Sequence, residues 1–158
     1  MQLQFDDFKH TPKIHTDYCA SVHHPGESRV TRRQKYTRLC QDLSSGLMFY
    51  IGIAALPKGR WENPPAGHKF RFDDMYLLAY GESKTNGADE DFLICQAWLH
   101  DHAGRNLNQQ RGTCGQGKWG QLGFLYLCTK KKEDDDNDNR PSIFRRKFLR
   151  DSVGKCLY

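Results

Sequence analysis

The sequence predicts an α+β fold rich in β structure: an antiparallel sheet of about four long strands, one helix in the N-terminal half and a short basic helix near the C-terminus. Three observations predict it. Apolar runs of strand length recur between residues 47 and 129. The stretch 28–43 instead carries its apolar residues at helical spacing. Strands and helices do not alternate, which favours an antiparallel sheet over a doubly wound one.

The 158 residues fit one domain, and 9 Phe, 7 Tyr and 3 Trp supply bulk for a core. Residues 1–28, with Pro12, Pro25 and Gly26 breaking any period, read as an irregular arm with room for a short strand; 29–158 read as a single α+β domain. In the first helix Tyr36, Leu39, Cys40 and Leu43 line one face at i, i+3, i+4 and i+7. Ser28 stands at its N-cap and Gly46 just past its end. Arg29, Arg32, Arg33 and Lys35 occupy the opposite face.

Leu47–Ala55 is continuous and apolar, the pattern of a central strand buried on both faces. Pro57, Gly59, Pro64, Pro65 and Gly67 make 56–67 a loop. His68 to Phe72 alternates and leads into the run Met75–Tyr80, with Asp73-Asp74 as a bulge or break. Asn86-Gly87 reads as a turn, so 68–80 and 91–99 form a predicted hairpin. Residues 100–117 are polar and glycine-rich, a long loop, and 118–129 read as the last strand. An acidic loop follows at 133–138 (Glu133, Asp134, Asp135, Asp136, Asp138). Ile143, Phe144, Phe148 and Leu149, with Arg145, Arg146, Lys147 and Arg150 between them, give the basic amphipathic helix.

The longest apolar stretch, Leu47–Leu56, falls short of the roughly 18 residues that span a bilayer. The opening Met-Gln-Leu-Gln-Phe-Asp-Asp has neither the basic nor the apolar region of a secretory signal. An intracellular protein, cytoplasmic or nuclear, is expected. Six widely spaced cysteines with no Cys-x-x-Cys pair argue against a disulfide framework and a cysteine zinc knuckle. Cys95 and Cys128 lie in apolar runs and read as small core residues.

Several short motifs suggest chemistry. Gly112 to Lys118 matches the first seven positions of a phosphate-binding loop, but Trp119 stands where a Ser or Thr should hold Mg²⁺ and a strand follows in place of a helix. His100-Asp101-His102 ends a predicted strand, where i and i+2 histidines point to one side as metal ligands must. With His68, and Glu62 or Asp101 in support, they form a candidate site for a divalent metal such as Zn. Pro65-Ala66-Gly67-His68 resembles part of the Pro-x-Gly-x-x-His element of cupin barrels, with the histidine one place early and the companion motif absent. The His-x-His pair is also similar to that of rolling-circle replication nucleases, which makes Tyr126, four residues before Lys130, a nucleophile candidate. Tyr126 sits in an apolar run, and Asp101 stands between the histidines where that family carries apolar neighbours. The acidic pairs Asp73-Asp74 and Asp89-Glu90-Asp91 read as solvated loop charges.

The net charge of +5 includes the five acids of 133–138, so the rest of the chain is more basic still. Arg29, Arg32, Arg33, Lys35 and Arg38 lie on the first helix, Arg105, Arg111 and Lys118 in the glycine-rich loop, and Lys130, Lys131 and Lys132 at the end of the last strand. Arg145, Arg146, Lys147 and Arg150 belong to the C-terminal helix. Such cations bind phosphates with counterion release, and Trp61, Trp119, Tyr18 and Tyr36 are candidates to stack on bases. The expected function is therefore a non-enzymatic nucleic-acid- or polyanion-binding protein of viral capsid, matrix or silencing-suppressor type, without a cofactor and capable of homo-oligomerisation. The alternatives are a metal-dependent enzyme built on His68, His100 and His102, and a protein–protein adaptor.

Overall fold

The computed structural model describes residues 8, 10–21, 27–64, 67–101, 104–108 and 122–132. In chain order they form β1 (Ile14–His15), β2 (Ala20–Ser21), α1 (Arg29–Leu43), β3 (Met48–Ala54), α2 (Pro57–Glu62), a 3-10 turn (His68–Phe70), β4 (Asp74–Glu82), α3 (Ser83–His100) and β5 (Leu122–Lys130). The fold is α+β, but its sheet is mixed. β5 runs antiparallel to β3, from Met48↔Lys130 to Ala54↔Phe124, and antiparallel to β4, from Asp74↔Thr129 to Glu82↔Leu122. β3 and β4 are thus parallel to one another with β5 between them. On the other edge of β4, β1 and β2 pair in parallel, Ile14 opposite Met75 and Ala20 opposite Ala79. An all-antiparallel sheet was the sequence expectation; the short arm strands, which carry too few residues to announce a direction, make it mixed.

β5 rather than β3 is the central strand. Gly123 to Thr129 are all buried, as a continuous apolar strand covered on both faces should be. β3 lies outside it, and residues 104–108 cover its free edge. Phe49 N–H donates to the Arg105 carbonyl at 3.0 Å and Leu107 N–H to the Phe49 carbonyl at 2.8 Å. At Ile51 a side chain replaces a strand: Ile51 N–H donates to Asn108 Oδ1 at 2.8 Å, and Asn108 Nδ2 donates to the Ile51 carbonyl at 2.6 Å. One amide thereby satisfies both backbone groups that Ile51 presents at the sheet edge.

α1 and α3 cover one face, where Tyr36, Cys40, Leu93 and Ile94 meet Phe49, Ile51, Leu78, Leu125 and Leu127. The other face buries Phe8, Ile14, Trp61 and Phe72 against Met75, Leu77, Phe124, Tyr126 and Cys128. α1 begins as its sequence predicts, with Thr31 N–H donating to Ser28 Oγ at 3.1 Å. It ends before Gly46, whose φ of +71° suits glycine.

Three segments differ from expectation. Residues 57–62, predicted as part of a loop, form the helix α2, with Pro57 in its first turn. A 3-10 turn at His68–Phe70, with Arg71 N–H and Phe72 N–H both donating to the His68 carbonyl, stands where a strand over 68–72 was predicted. Residues 83–100, predicted as turn and strand, are one helix. Its buried positions Asn86, Gly87, Asp89, Glu90, Leu93 and Ile94 do follow a helical period. The first half of that face is polar, which hides it from any search for apolar spacing.

Those polar groups hold the helices in place. Asn86 Nδ2 donates to the Gly123 carbonyl at 2.9 Å, tying α3 to the start of β5. The wholly buried Asp89 accepts from Arg32 Nε at 2.7 Å, Arg32 Nη2 at 3.3 Å and Arg33 Nε at 2.8 Å. Arg33 also donates to the Ala88 carbonyl and lies 4.7 Å from the centre of the Phe92 ring. The acidic loop 133–138 and the basic helix around 143–150 lie outside the described residues.

Asp89→Ala strands two partly buried guanidinium groups and is expected to cost about 3 kcal/mol in urea unfolding, the order seen when one partner of a buried pair is removed. Arg32→Met should cost less, because Arg33 keeps its hold on the carboxylate.

Candidate functional site

The face of the sheet opposite the long helices carries a cluster that begins with a missing side chain. Gly52 of β3 pairs with Tyr126 of β5, and a Cβ at Gly52 would lie 2.5 Å from the Tyr126 hydroxyl oxygen. Tyr126 therefore crosses β3 at its one bare position. Tyr50, two residues earlier on β3 and on the same face, sits diagonally across from it with ring centres 6.4 Å apart. The third ring comes from the 3-10 turn. Gly67, where a Cβ would stand 2.6 Å from the Trp61 carbonyl, lets that turn press against α2 and deliver His68. His68 lies 5.4 Å from Tyr50 and 5.5 Å from Tyr126 between ring centres, and Phe72 closes the cluster at 5.5 Å from His68.

His68 Nε2 and the Tyr126 hydroxyl share a hydrogen bond of 2.9 Å, and His68 Nδ1 is buried without a partner among the described residues. Burial, reinforced by the positive charges of Arg60 and Arg71, brings the imidazole down to about 4, so it is neutral at pH 7. Burial raises the Tyr126 phenol well above its ordinary value, and Arg60 pulls it back. Tyr50 is raised by burial and by Glu90, and lowered by Arg60 and Arg71. Tyr50, His68, Tyr126, Arg60 and Arg71 thus share one electrostatic neighbourhood, and the field of Glu90 reaches both tyrosines.

Beside the cluster runs a groove of about 440 Å³ between the end of β3 and α2. Ile53 to Leu56 form one wall, and Gly59, Arg60, Asn63 and Gly67 the other. Arg60 and Arg71 are both exposed, so their guanidinium groups are available to an anion entering from solvent.

Glu90 is buried on α3, its Oε2 without a partner among the described residues. Burial, then the neighbouring Asp91, raises its carboxyl to about 8.

The residues predicted from sequence fare unevenly. Arg32 and Arg33 are committed to Asp89, and Lys35 Nζ lies 2.7 Å from Glu27 Oε1. Arg29, Arg38, Lys131 and Lys132 are exposed and Lys130 is half-buried. Arg105 is half-buried, with Nη1 donating to the Ser44 carbonyl at 3.4 Å. Trp61 and Tyr36 are core residues and present no face to solvent; Tyr18 is exposed, edge-on to Tyr76. His68 and His100 stand on opposite faces of the sheet, His100 at the exposed end of α3, so the structure does not bring this pair of proposed ligands together. No group of three or more His, Cys, Asp or Glu suited to a metal is found among the described residues. Arg111, Lys118, Trp119, Arg145, Arg146, Lys147, Arg150 and His102 lie outside them. No described helix is long and apolar enough to cross a membrane.

Tyr50, Arg60, Arg71 and Glu90 carry no sequence signal of their own. Tyr50 and Gly52 lie within an apolar run, and their link to Tyr126 exists through strand register. The chain matches no protein-family model, no curated protein and no solved structure.

The Glu90 carboxyl gives a pH prediction. Between 4.5, its ordinary value, and about 8 the folded chain holds a proton that the unfolded chain releases, so stability falls as pH rises through that window. His68 acts in the other sense, its contribution lost as pH falls from 6.5 through about 4. Glu90→Gln cannot ionise, so its melting temperature relative to the parent should be higher at about pH 9 than at about pH 5. A pH-independent difference would show that Glu90 does not titrate in this window.

Proposed function

We propose that this domain binds nucleic acid where the half-buried Tyr50 edges the cluster above the buried His68 and Tyr126, with the exposed Arg60 and Arg71 holding phosphate oxygens. The observation that carries the reading is a neutral histidine hydrogen-bonded to a tyrosine hydroxyl, within the field of two exposed arginines and beside an open groove. Guanidinium forks match phosphate geometry, and the half-buried ring of Tyr50 offers a surface on which a base stacks. The net charge of +5 favours a polyanion at long range. Arg32 and Arg33, committed to Asp89, contribute far less than the sequence suggests.

One observation favours a second reading, cleavage of the bound phosphodiester. A neutral base within hydrogen-bond reach of a hydroxyl, with cations alongside, supplies what displacement at phosphorus needs. In this reading, which requires the groove to open onto the buried Tyr126 hydroxyl, a water oxygen bonds to phosphorus and its proton passes through that hydroxyl to His68 Nε2. The ester P–O bond breaks, and the leaving oxygen takes a proton from solvent. The arginines take up charge on the non-bridging oxygens.

Fluorescence anisotropy with labelled single-stranded RNA, single-stranded DNA and duplex DNA, titrated with salt, tests the binding. We expect micromolar affinity near ~0.15 M salt, and for the Arg60→Ala/Arg71→Ala double variant a loss of about tenfold or more with a salt slope shallower by about 2. A double variant that binds like the parent would move the interface elsewhere. Incubating end-labelled strands with Mg²⁺ or Mn²⁺ tests the second reading: His68→Ala and Tyr126→Phe should abolish cleavage while binding persists. Intact strands with the parent protein would leave binding alone.

A further inference from the structure

We infer that the cavity between α1, α3 and β3 is a binding site for a small organic monocarboxylate, held by Arg105. The cavity encloses about 200 Å³ on the face of the sheet opposite the tyrosines, so the inference is independent of the nucleic-acid reading. Its floor is apolar: Cys40, Phe49, Ile51, Leu93 and Ala97. Its rim is polar, with Thr37, Gln41 and Ser45 from α1 and the turn after it, and Gln96 and His100 from α3. Arg105 completes the rim. An apolar floor beneath a few convergent polar groups is the usual form of a small-molecule site, and this one is smaller than those that take drug-sized ligands.

Arg105 is fixed in place but chemically incomplete. The Asp101 carboxylate accepts from Arg105 N–H at 2.8 Å and from Asn106 N–H at 2.9 Å, while the Arg105 carbonyl accepts from Phe49 N–H. The turn is therefore rigid where the side chain leaves it. Among the described residues the guanidinium makes one long bond, from Nη1 to the Ser44 carbonyl at 3.4 Å. Its Nε–H is buried without an acceptor, and no carboxylate lies within ion-pairing distance among the described residues. A guanidinium edge lacking an acceptor is the complement of a carboxylate.

The surroundings select the rest of the ligand. Both Asp101 oxygens are engaged by backbone N–H groups, and a carboxylate on the rim disfavours a dianion. Burial keeps the Cys40 thiol protonated, so the floor is uncharged and accepts a hydrocarbon. A six- or seven-carbon acid such as hexanoate or benzoate meets these conditions; an inorganic phosphate, charged and without a tail, does not.

The test is calorimetric titration of the full chain with benzoate and hexanoate, and with benzyl alcohol, hexanamide and inorganic phosphate as controls. The carboxylates should saturate one site, and each control should bind at least about tenfold more weakly. Arg105→Gln should lose about tenfold or more in carboxylate affinity, and Ala97→Leu, which fills the floor, should lose binding as well. In case either variant fails to fold, the Arg105 Nε–H resonance of the parent chain should shift on titration with benzoate. Equal binding of the neutral controls, an unmoved Arg105 resonance, or no saturable binding by about 10 mM would overturn the assignment.

Discussion

The structure depends on one strand arriving between two others. β3 and β4 form no ladder with each other; each pairs with β5, and the helices and the arm assemble on the sheet so completed. The insertion sets more than hydrogen bonds. It fixes the register that puts Tyr126 opposite Gly52, and only a glycine leaves room there for a phenol ring. Shifting β5 by one residue would turn Tyr126 toward the helices and leave His68 without its hydroxyl. Strand pairing and the candidate site are therefore one constraint seen at two scales.

A second arrangement shows how the polar content of the chain is absorbed. A buried acid on α3 gathers two arginines from α1, and a buried asparagine on the same helix reaches the start of β5. A single aspartate thus accommodates two charges that the sequence assigns to solvent. Among the described residues, Arg32 and Arg33 are thereby withdrawn from the charge that α1 presents, while Arg60 of α2 and Arg71 in the turn before β4 stand exposed. The functional reading follows the same shift, from a diffuse charged helix to a compact group of rings and guanidiniums.

Much of the architecture was legible wherever burial is apolar. α1 shows its buried stripe and its serine cap, β3 and β5 their continuous hydrophobic runs, and β4 its core from Met75 onward. Reading failed where burial is polar. α3 conceals a helical period behind Asn86, Asp89 and Glu90, and the alternation from His68 to Phe72 belongs to a turn whose two rings point into the same core. Of the candidate site, His68 and Tyr126 attracted notice singly, for metal binding and for nucleophilic chemistry. Their meeting required the register of β5, and the arginines and Glu90 required the folded surface, neither of which a residue pattern encodes.

The parallel relation of β3 and β4 has a further consequence. Without β5 the sheet holds a slot one strand wide, walled by two unsatisfied ladders and floored by apolar side chains. Any copy of Leu122–Lys130 fits that slot with the same register, whether it belongs to the same molecule or to another. Intramolecular closure prevails while the tether keeps its own strand at a higher effective concentration than a neighbour's. Crowding many newly made chains together narrows that advantage, and the element that completes the monomer becomes the natural element for strand exchange between molecules.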